Sequence, residues 1–220
     1  MSLKNSEVKN PRNSEPFHVA AFDIAALNLA IRGERIDENG VHPLIFEVIS
    51  MQSKKVDREF ITKLADYLDL RDWSIYNLVL LEGQLAYMGR FGRGGSPTNA
   101  KIQQFLEAYF LLKYRQIQVE IVPAKSKYPE GIRGKGTIPE SPQFPEKMWG
   151  KEASDARRKT WSIWRITQIF DQREDEASLK VLAKAKKRKQ KTDDLTDCCL
   201  LVFSYFQNHK IKLPYKLETP

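Results

Sequence analysis

The residues of this chain best suited to chemistry are acids set in apolar surroundings. Asp23 sits in the apolar run VAAFDI at 19–24, Glu82 follows LVLL at 78–81, and Asp193, Asp194 and Asp197 open the segment TDDLTDCCLL at 192–201. A carboxylate in such a run needs water, a partner or a metal ion, because an unpaired buried charge is costly. Singly, each has an ordinary explanation. Strand-end acids are often solvated, and aspartates at a helix start cap free N–H groups and oppose the helix dipole. Asp194 and Asp197, spaced i, i+3, share a helix face, and so do Asp193 and Asp197, spaced i, i+4. Carboxylates from two neighbouring strands and a helix on the same sheet can meet at one point. Oxygen-only ligands suit Mg2+ or Mn2+. Two such ions a few ångströms apart activate a water and stabilise the leaving oxygen of a phosphodiester. Leu195, Cys198 and Cys199 should face the core. Asp194 lies beside Leu195 and one turn before Cys198, which favours it at the core edge near Asp23, with Asp193 nearer the helix start as a cap.

Basic residues flank these acids. KAKKRKQK at 184–191 places six cations in eight positions. Lys186, Lys187 and Arg188 at its centre suit phosphate contact, although such a run also serves as an import signal or a solvated loop. AYMGRFGRGGSPTNAK at 86–101 follows Glu82. Its glycines allow close backbone approach, and Arg90, Arg93 and Lys101 supply charge. Ser96 or Thr98 could cap the helix that follows, whose N-terminus would attract phosphate; the plain alternative is a surface loop. Arg157, Arg158 and Lys159 extend the same basic surface. Trp161 and Trp164 read as core or dimer contacts rather than base-stacking groups. Affinity from basic flanks and chemistry at an acidic centre is the division of labour a phosphodiester-cleaving enzyme needs.

The elements that would position these residues are readable from periodicity. Strands are predicted at 19–24, 28–32, 44–49, 75–82 and 117–122, with Asn39-Gly40 turning the chain between the second and third. Helical spacing runs through 57–70, 100–114, 153–171 and about 193–208. The opening meander excludes a simple Rossmann unit and fits a mixed five-stranded sheet with helices on both faces. The segment 128–150 carries four prolines and four glycines and reads as an irregular insertion.

The net charge of +8 favours a polyanionic partner. No apolar run approaches membrane-spanning length, and the longest, Cys198 to Phe203, is far too short. The first sixteen residues are polar and read as a flexible leader, without a secretory signal. A domain over 17–210 and a tail at 211–220 complete the division. The adjacent Cys198 and Cys199 read as small buried hydrophobes of a reducing compartment.

Three of these motifs carry a family resemblance. FDIAALNLA at 22–30 resembles the first-strand motif of RuvC-like resolvases, VLLEGQ at 79–84 their strand-end glutamate motif, and KKRKQKTDDLTDCCLL at 186–201 their closing motif of a basic run before paired aspartates. The pattern is similar to the poxvirus-type Holliday junction resolvases of the RNase H-like superfamily. That resemblance implies an α/β RNase H-like fold and a homodimer that nicks four-way DNA junctions in opposed strands. It implies Asp23, Glu82, Asp194 and Asp197 as ligands of two Mg2+ ions, Mn2+ being an alternative, with Asp193 competing for a place among them. It further implies a lysine after the fifth strand near the reacting phosphate, where Lys127 is favoured over Lys125. An intracellular, viral protein acting on branched DNA in host cytoplasm or nucleus would follow. Ala25 stands where the family usually has glycine, and the 128–150 segment is longer than the family's pattern. A ribonuclease H, a mitochondrial-type resolvase or a non-catalytic branched-DNA binder are the competing readings.

Overall fold

The computed structural model describes residues 15–51, 55–84, 97–128, 132, 154–188 and 190–209. Five strands form one sheet: β1 (Phe17–Asp23), β2 (Asn28–Asp37), β3 (Gly40–Ser50), β4 (Leu78–Gly83) and β5 (Gln118–Pro123), in the order β3-β2-β1-β4-β5. β1, β2 and β3 pair antiparallel, while β4 runs parallel to both β1 and β5. Helices α1 (Arg58–Asp69), α2 (Pro97–Lys113), α3 (Ser154–Gln172), α4 (Glu176–Lys187) and α5 (Thr192–Asn208) complete the described elements, with a single 3-10 turn at Ala124–Lys127. This is the mixed α/β, RNase H-like architecture anticipated from the sequence.

The opening hairpin is longer than its apolar residues suggested. β2 and β3 continue through RGERID and GVHP to the turn at Asn39-Gly40, where Gly40 takes φ 127°, a conformation that side-chain-bearing residues rarely adopt. Backbone pairing extends a hairpin beyond its buried part, so polar residues near the turn are strand as well. β4 begins three residues later than predicted, because Trp73 and Tyr76 occupy the approach to it as core residues. α4 was not anticipated. Its apolar residues on the core are Leu179, Val181, Leu182 and Ala185, and its last turn lies inside the basic run.

Alternation along the strands divides the core. Ala20, Phe22, Leu29, Ile31, Val79 and Leu81 face α1 and α2. Val19, Ala21, Leu78 and Leu80 point to the other face, against Leu201, Val202, Tyr205 and Phe206 of α5. The period of two therefore sends Asp23 and Glu82 to the α5 face as well. α5 is buried continuously from Cys198 to Phe206, so its all-round apolar sequence reflects a helix enclosed between the sheet and α3. Cys198 and Cys199 are both buried in the core. Among the described residues no helix is long and apolar enough to cross a membrane.

A buried ionic cluster fastens α4 to the sheet. Arg32 of β2 is fully buried; its Nε donates to Glu34 at 2.9 Å, one Nη to the Ser178 hydroxyl at 2.6 Å and the other to Asp175 at 3.2 Å. Its guanidinium lies between the rings of Phe46 and Phe170, at 4.8 and 5.0 Å from their centroids. Asp175 also accepts the Ser178 N–H, so one carboxylate caps α4 and ties it to Arg32. Removing one partner of such a cluster leaves the others charged and unmatched. Arg32→Ala should therefore cost about 3 kcal/mol or more of unfolding free energy. Urea titration measures this, and a loss under about 1 kcal/mol would show that the cluster does not fasten α4.

Candidate active site

Asp23 is the last residue of β1, and Glu82 lies in the neighbouring parallel strand β4. The register pairs Phe22 with Leu81, so the two acids are the next neighbours along the ladder. Both point to the α5 face. Asp197, one turn inside α5, meets them there. β5 ends at Pro123, and the 3-10 turn that follows carries Lys127 back over the same point. Lys127 Nζ is 2.7 Å from Glu82 Oε1, 2.8 Å from Asp23 Oδ1 and 3.1 Å from Asp197 Oδ2. All but Asp197 are nearly excluded from solvent, with exposures of 7% for Asp23, 9% for Glu82 and 6% for Lys127. Lys127 is thus the lysine that enters the cluster, while Lys125 is exposed.

The electrostatics follow from three carboxylates facing one ammonium. Burial pushes the Asp23 carboxyl well above the usual range; Lys127 opposes this, and Glu82 and Asp197 add to it. Burial alone would disfavour a charged Lys127, but Asp23, Asp197 and Glu82 together hold its ammonium firmly protonated. The cluster carries excess negative charge that one lysine does not cancel.

A second layer holds the acids in place, and here sequence reading was silent. The Tyr128 hydroxyl donates to Asp197 Oδ2 at 2.6 Å, and the Ser162 hydroxyl of α3 donates to Asp197 Oδ1 at 2.7 Å. Ser162 is fully buried and lies 2.6 Å from Thr196 Oγ1. Burial first, and then the Asp197 charge, raise the Tyr128 hydroxyl, so it remains a donor. The Gln84 amide donates to Glu82 Oε2 at 2.7 Å, while its backbone N–H donates to Gln103 of α2 at 2.6 Å. Asn99 of α2 accepts the Ala26 N–H at 3.2 Å and steadies the chain after Asp23. The single available signal was Ser162, a hydroxyl beside the buried Trp161; such a residue reads equally well as helix filler.

The other two aspartates of α5 have different surroundings. Asp193 pairs with Lys159 of α3 at 3.4 Å. It does not cap the helix as anticipated: α5 begins at Thr192, the flanking residue is Lys191, and no side chain caps this end. Asp194 receives a hydrogen bond from Asn28 of β2, and burial, followed by the charge of Asp193, lifts its carboxyl to about 6. Its Oδ2 is buried without a hydrogen-bond partner.

Of the basic residues, Lys186, Lys187 and Arg188 are exposed, at the end of α4 and just beyond it, with Arg188 four residues before the start of α5. Lys101 is exposed in the first turns of α2. Arg158 lies 5.8 Å from the Tyr128 ring centroid, at the rim of the acids. Arg157 does not join this surface, because it is buried on the inner side of α3. Trp161 is likewise buried against Tyr128, and Trp164 packs on the same core. Arg90, Arg93, Ser96, residues 1–14 of the leader, the tail and all of the 128–150 insertion except Tyr128 and Ile132 lie outside the described residues.

The donor set is entirely oxygen and strongly anionic, and Asp194, which feels the charge of Asp197, adds a buried oxygen without a hydrogen-bond partner. That chemistry fits a hard divalent ion. Nevertheless, among the described residues no three His, Cys, Asp or Glu side chains stand ready to hold one. Asp23, Glu82 and Asp197 are arranged around the Lys127 ammonium.

No protein-family model matches the sequence, and no curated protein matches it significantly. Among solved structures the chain is similar to the fowlpox virus Holliday junction resolvase, with 17% identity, 87% of this chain and 99% of that chain covered, and a TM-score of 0.51. A complex of fowlpox virus resolvase with substrate Holliday junction DNA gives 19% identity, coverage of 87% and 98%, and a TM-score of 0.48. The Thermus thermophilus RuvC structure gives 11% identity, coverage of 90% and 99%, and a TM-score of 0.45. The chain therefore has the RNase H-like fold, in the form also adopted by the fowlpox virus resolvase.

Proposed function

We propose that this protein is a metal-dependent endonuclease that resolves four-way DNA junctions. The observation that carries the reading is the convergence of Asp23, Glu82 and Asp197, from β1, β4 and α5, on one buried point. The sequence motifs and the likeness of fold to a Holliday junction resolvase support the substrate class. In this reading Asp23, Glu82, Asp194 and Asp197 hold Mg2+ or Mn2+, two ions per site. Held there, such ions would supply activation of a water and stabilisation of the leaving oxygen of a phosphodiester. The chain's own residues do the rest. Tyr128 and Ser162 fix both oxygens of Asp197, and Gln84 fixes Glu82. Lys186, Lys187 and Arg188, with Lys101, Arg90 and Arg93, bind the phosphate backbone without reading sequence. A homodimer follows from the reaction, since two opposed cuts call for two sites related by a two-fold axis. The likeness of fold to a fowlpox virus resolvase supports action on viral DNA inside a host cell.

Asp194 rather than Asp193 is the fourth ligand in this account. Asp193 already pairs with Lys159, whereas Asp194 carries a buried oxygen without a hydrogen-bond partner. The carboxyl of Asp194 titrates near 3.8 when unfolded and about 6 when folded. Folding then retains a proton that the unfolded chain has lost, so the stabilising contribution present below the lower value disappears as pH rises through the higher one. Asp194→Asn should accordingly raise the melting temperature of the metal-free protein at about pH 8 and change it little at about pH 4. Asp193→Asn, which loses a partly exposed pair, should change it little at either pH. Thermal melts in chelator decide the matter; a lowered melting temperature for Asp194→Asn at the higher pH would remove the basis for choosing Asp194.

Glu82→Gln keeps the size of the side chain but loses the charge that would hold the ion. It should abolish junction cleavage and leave junction binding largely intact, as read by gel shift and single-turnover cleavage on the same labelled DNA. Wild-type cleavage by Glu82→Gln would contradict the assignment.

A further inference from the structure

The Lys127 ammonium and a metal ion compete for the same place. Lys127 offers three N–H donors, and its three ion-pair partners are the carboxylates Glu82, Asp23 and Asp197, at 2.7, 2.8 and 3.1 Å. A divalent ion bound by these oxygens would stand about 2 Å from each. An ammonium within hydrogen-bonding distance of the same oxygens leaves no room for it, and the like charges would repel. With Gln84 on the other oxygen of Glu82 and Ser162 on the other oxygen of Asp197, the ammonium and a divalent ion compete for the same carboxylates.

We infer that Lys127 is a built-in counter-ion of the metal-free centre, and that loading of a divalent cation requires its side chain to leave the carboxylates. The inference rests on the metal-dependent reading above and adds how the centre is held before the metal arrives. Three partners make an internal ammonium sufficient to keep Asp23, Glu82 and Asp197 together without an ion. Tyr128 and Ser162 hold Asp197 independently of Lys127, so the carboxylate remains positioned when the lysine departs. The exchange leaves the acids in place and makes a previously buried cation available at the mouth of the site. The position of Lys127 at the end of a single 3-10 turn, outside the regular sheet and helices, permits that movement without disturbing β5.

The test measures binding and exposure rather than turnover. Mn2+ is titrated against the wild-type protein and Lys127→Gln by electron paramagnetic resonance. Removal of the competing charge should tighten Mn2+ binding by about tenfold or more. The variant leaves three buried acids without a counter-ion and folds less well, so a second measurement uses the wild-type chain alone. Lysine acetylation is followed by peptide mass spectrometry in chelator and in saturating Mg2+. Lys127 should be protected in chelator and labelled in Mg2+, with the exposed Lys125 labelled equally in both. Mn2+ uptake with unchanged or weaker affinity in Lys127→Gln overturns the exchange and leaves the metal-dependent reading standing, as does uptake with unchanged Lys127 labelling. Absence of Mn2+ uptake by the wild-type protein overturns both.

Discussion

Holding three carboxylates around one buried point is the constraint on which the rest of this structure depends. Like charges a few ångströms apart inside a protein repel strongly, and each loses hydration as well. Asp23, Glu82 and Asp197 are nevertheless brought together, and the cation among them is Lys127. Every element nearby contributes to this arrangement. The parallel register of β1 and β4 places two acids side by side, and strand alternation turns both toward α5. α5 is anchored by a continuous apolar face, so Asp197 arrives on a rigid support. α2 steadies the chain just after each of the two strands through Asn99 and Gln103, and α3 supplies Ser162.

The same sheet face carries a second buried ionic group, and the contrast is informative. Arg32 is matched to Glu34, Asp175 and Ser178 and enclosed by two aromatic rings, and it fastens α4 to β2. Its guanidinium is permanently charged and rigidly held, which suits a structural fastening. The cation among Asp23, Glu82 and Asp197 is instead a lysine, a compact charge on a flexible stem. A fastening that must hold uses arginine; a cation that must yield its place is better served by lysine. The two clusters lie on one face because that face is covered by α3, α4 and α5, which exclude water from both.

Much of this arrangement was legible in the residues. Strand alternation and helical spacing located five strands and most helices, because those patterns report burial directly. Asp23, Glu82 and the aspartates of α5 stood out as charges in apolar runs, and Lys127 was placed after β5 by family resemblance. The convergence itself was not legible, since it depends on register and on the path of a short turn. Ser162 and Tyr128 escaped notice because a hydroxyl gains meaning only from the partner it meets. Arg157 misled, because three adjacent cations suggested one surface while the helical repeat turned one of them inward. α4 was missed because a short apolar stripe within a basic run looks solvated until Arg32 and Asp175 are seen to hold it.

The central claim is that the buried acids serve metal-dependent cleavage of branched DNA. The most direct measurement incubates the wild-type protein with an end-labelled four-way junction, in Mg2+ and in chelator, and reads both strand pairs on a denaturing gel. The account predicts paired nicks in opposed strands in Mg2+ and intact, bound junction in chelator. Cleavage undiminished by chelator, or a bound junction left intact in both Mg2+ and Mn2+, would contradict it.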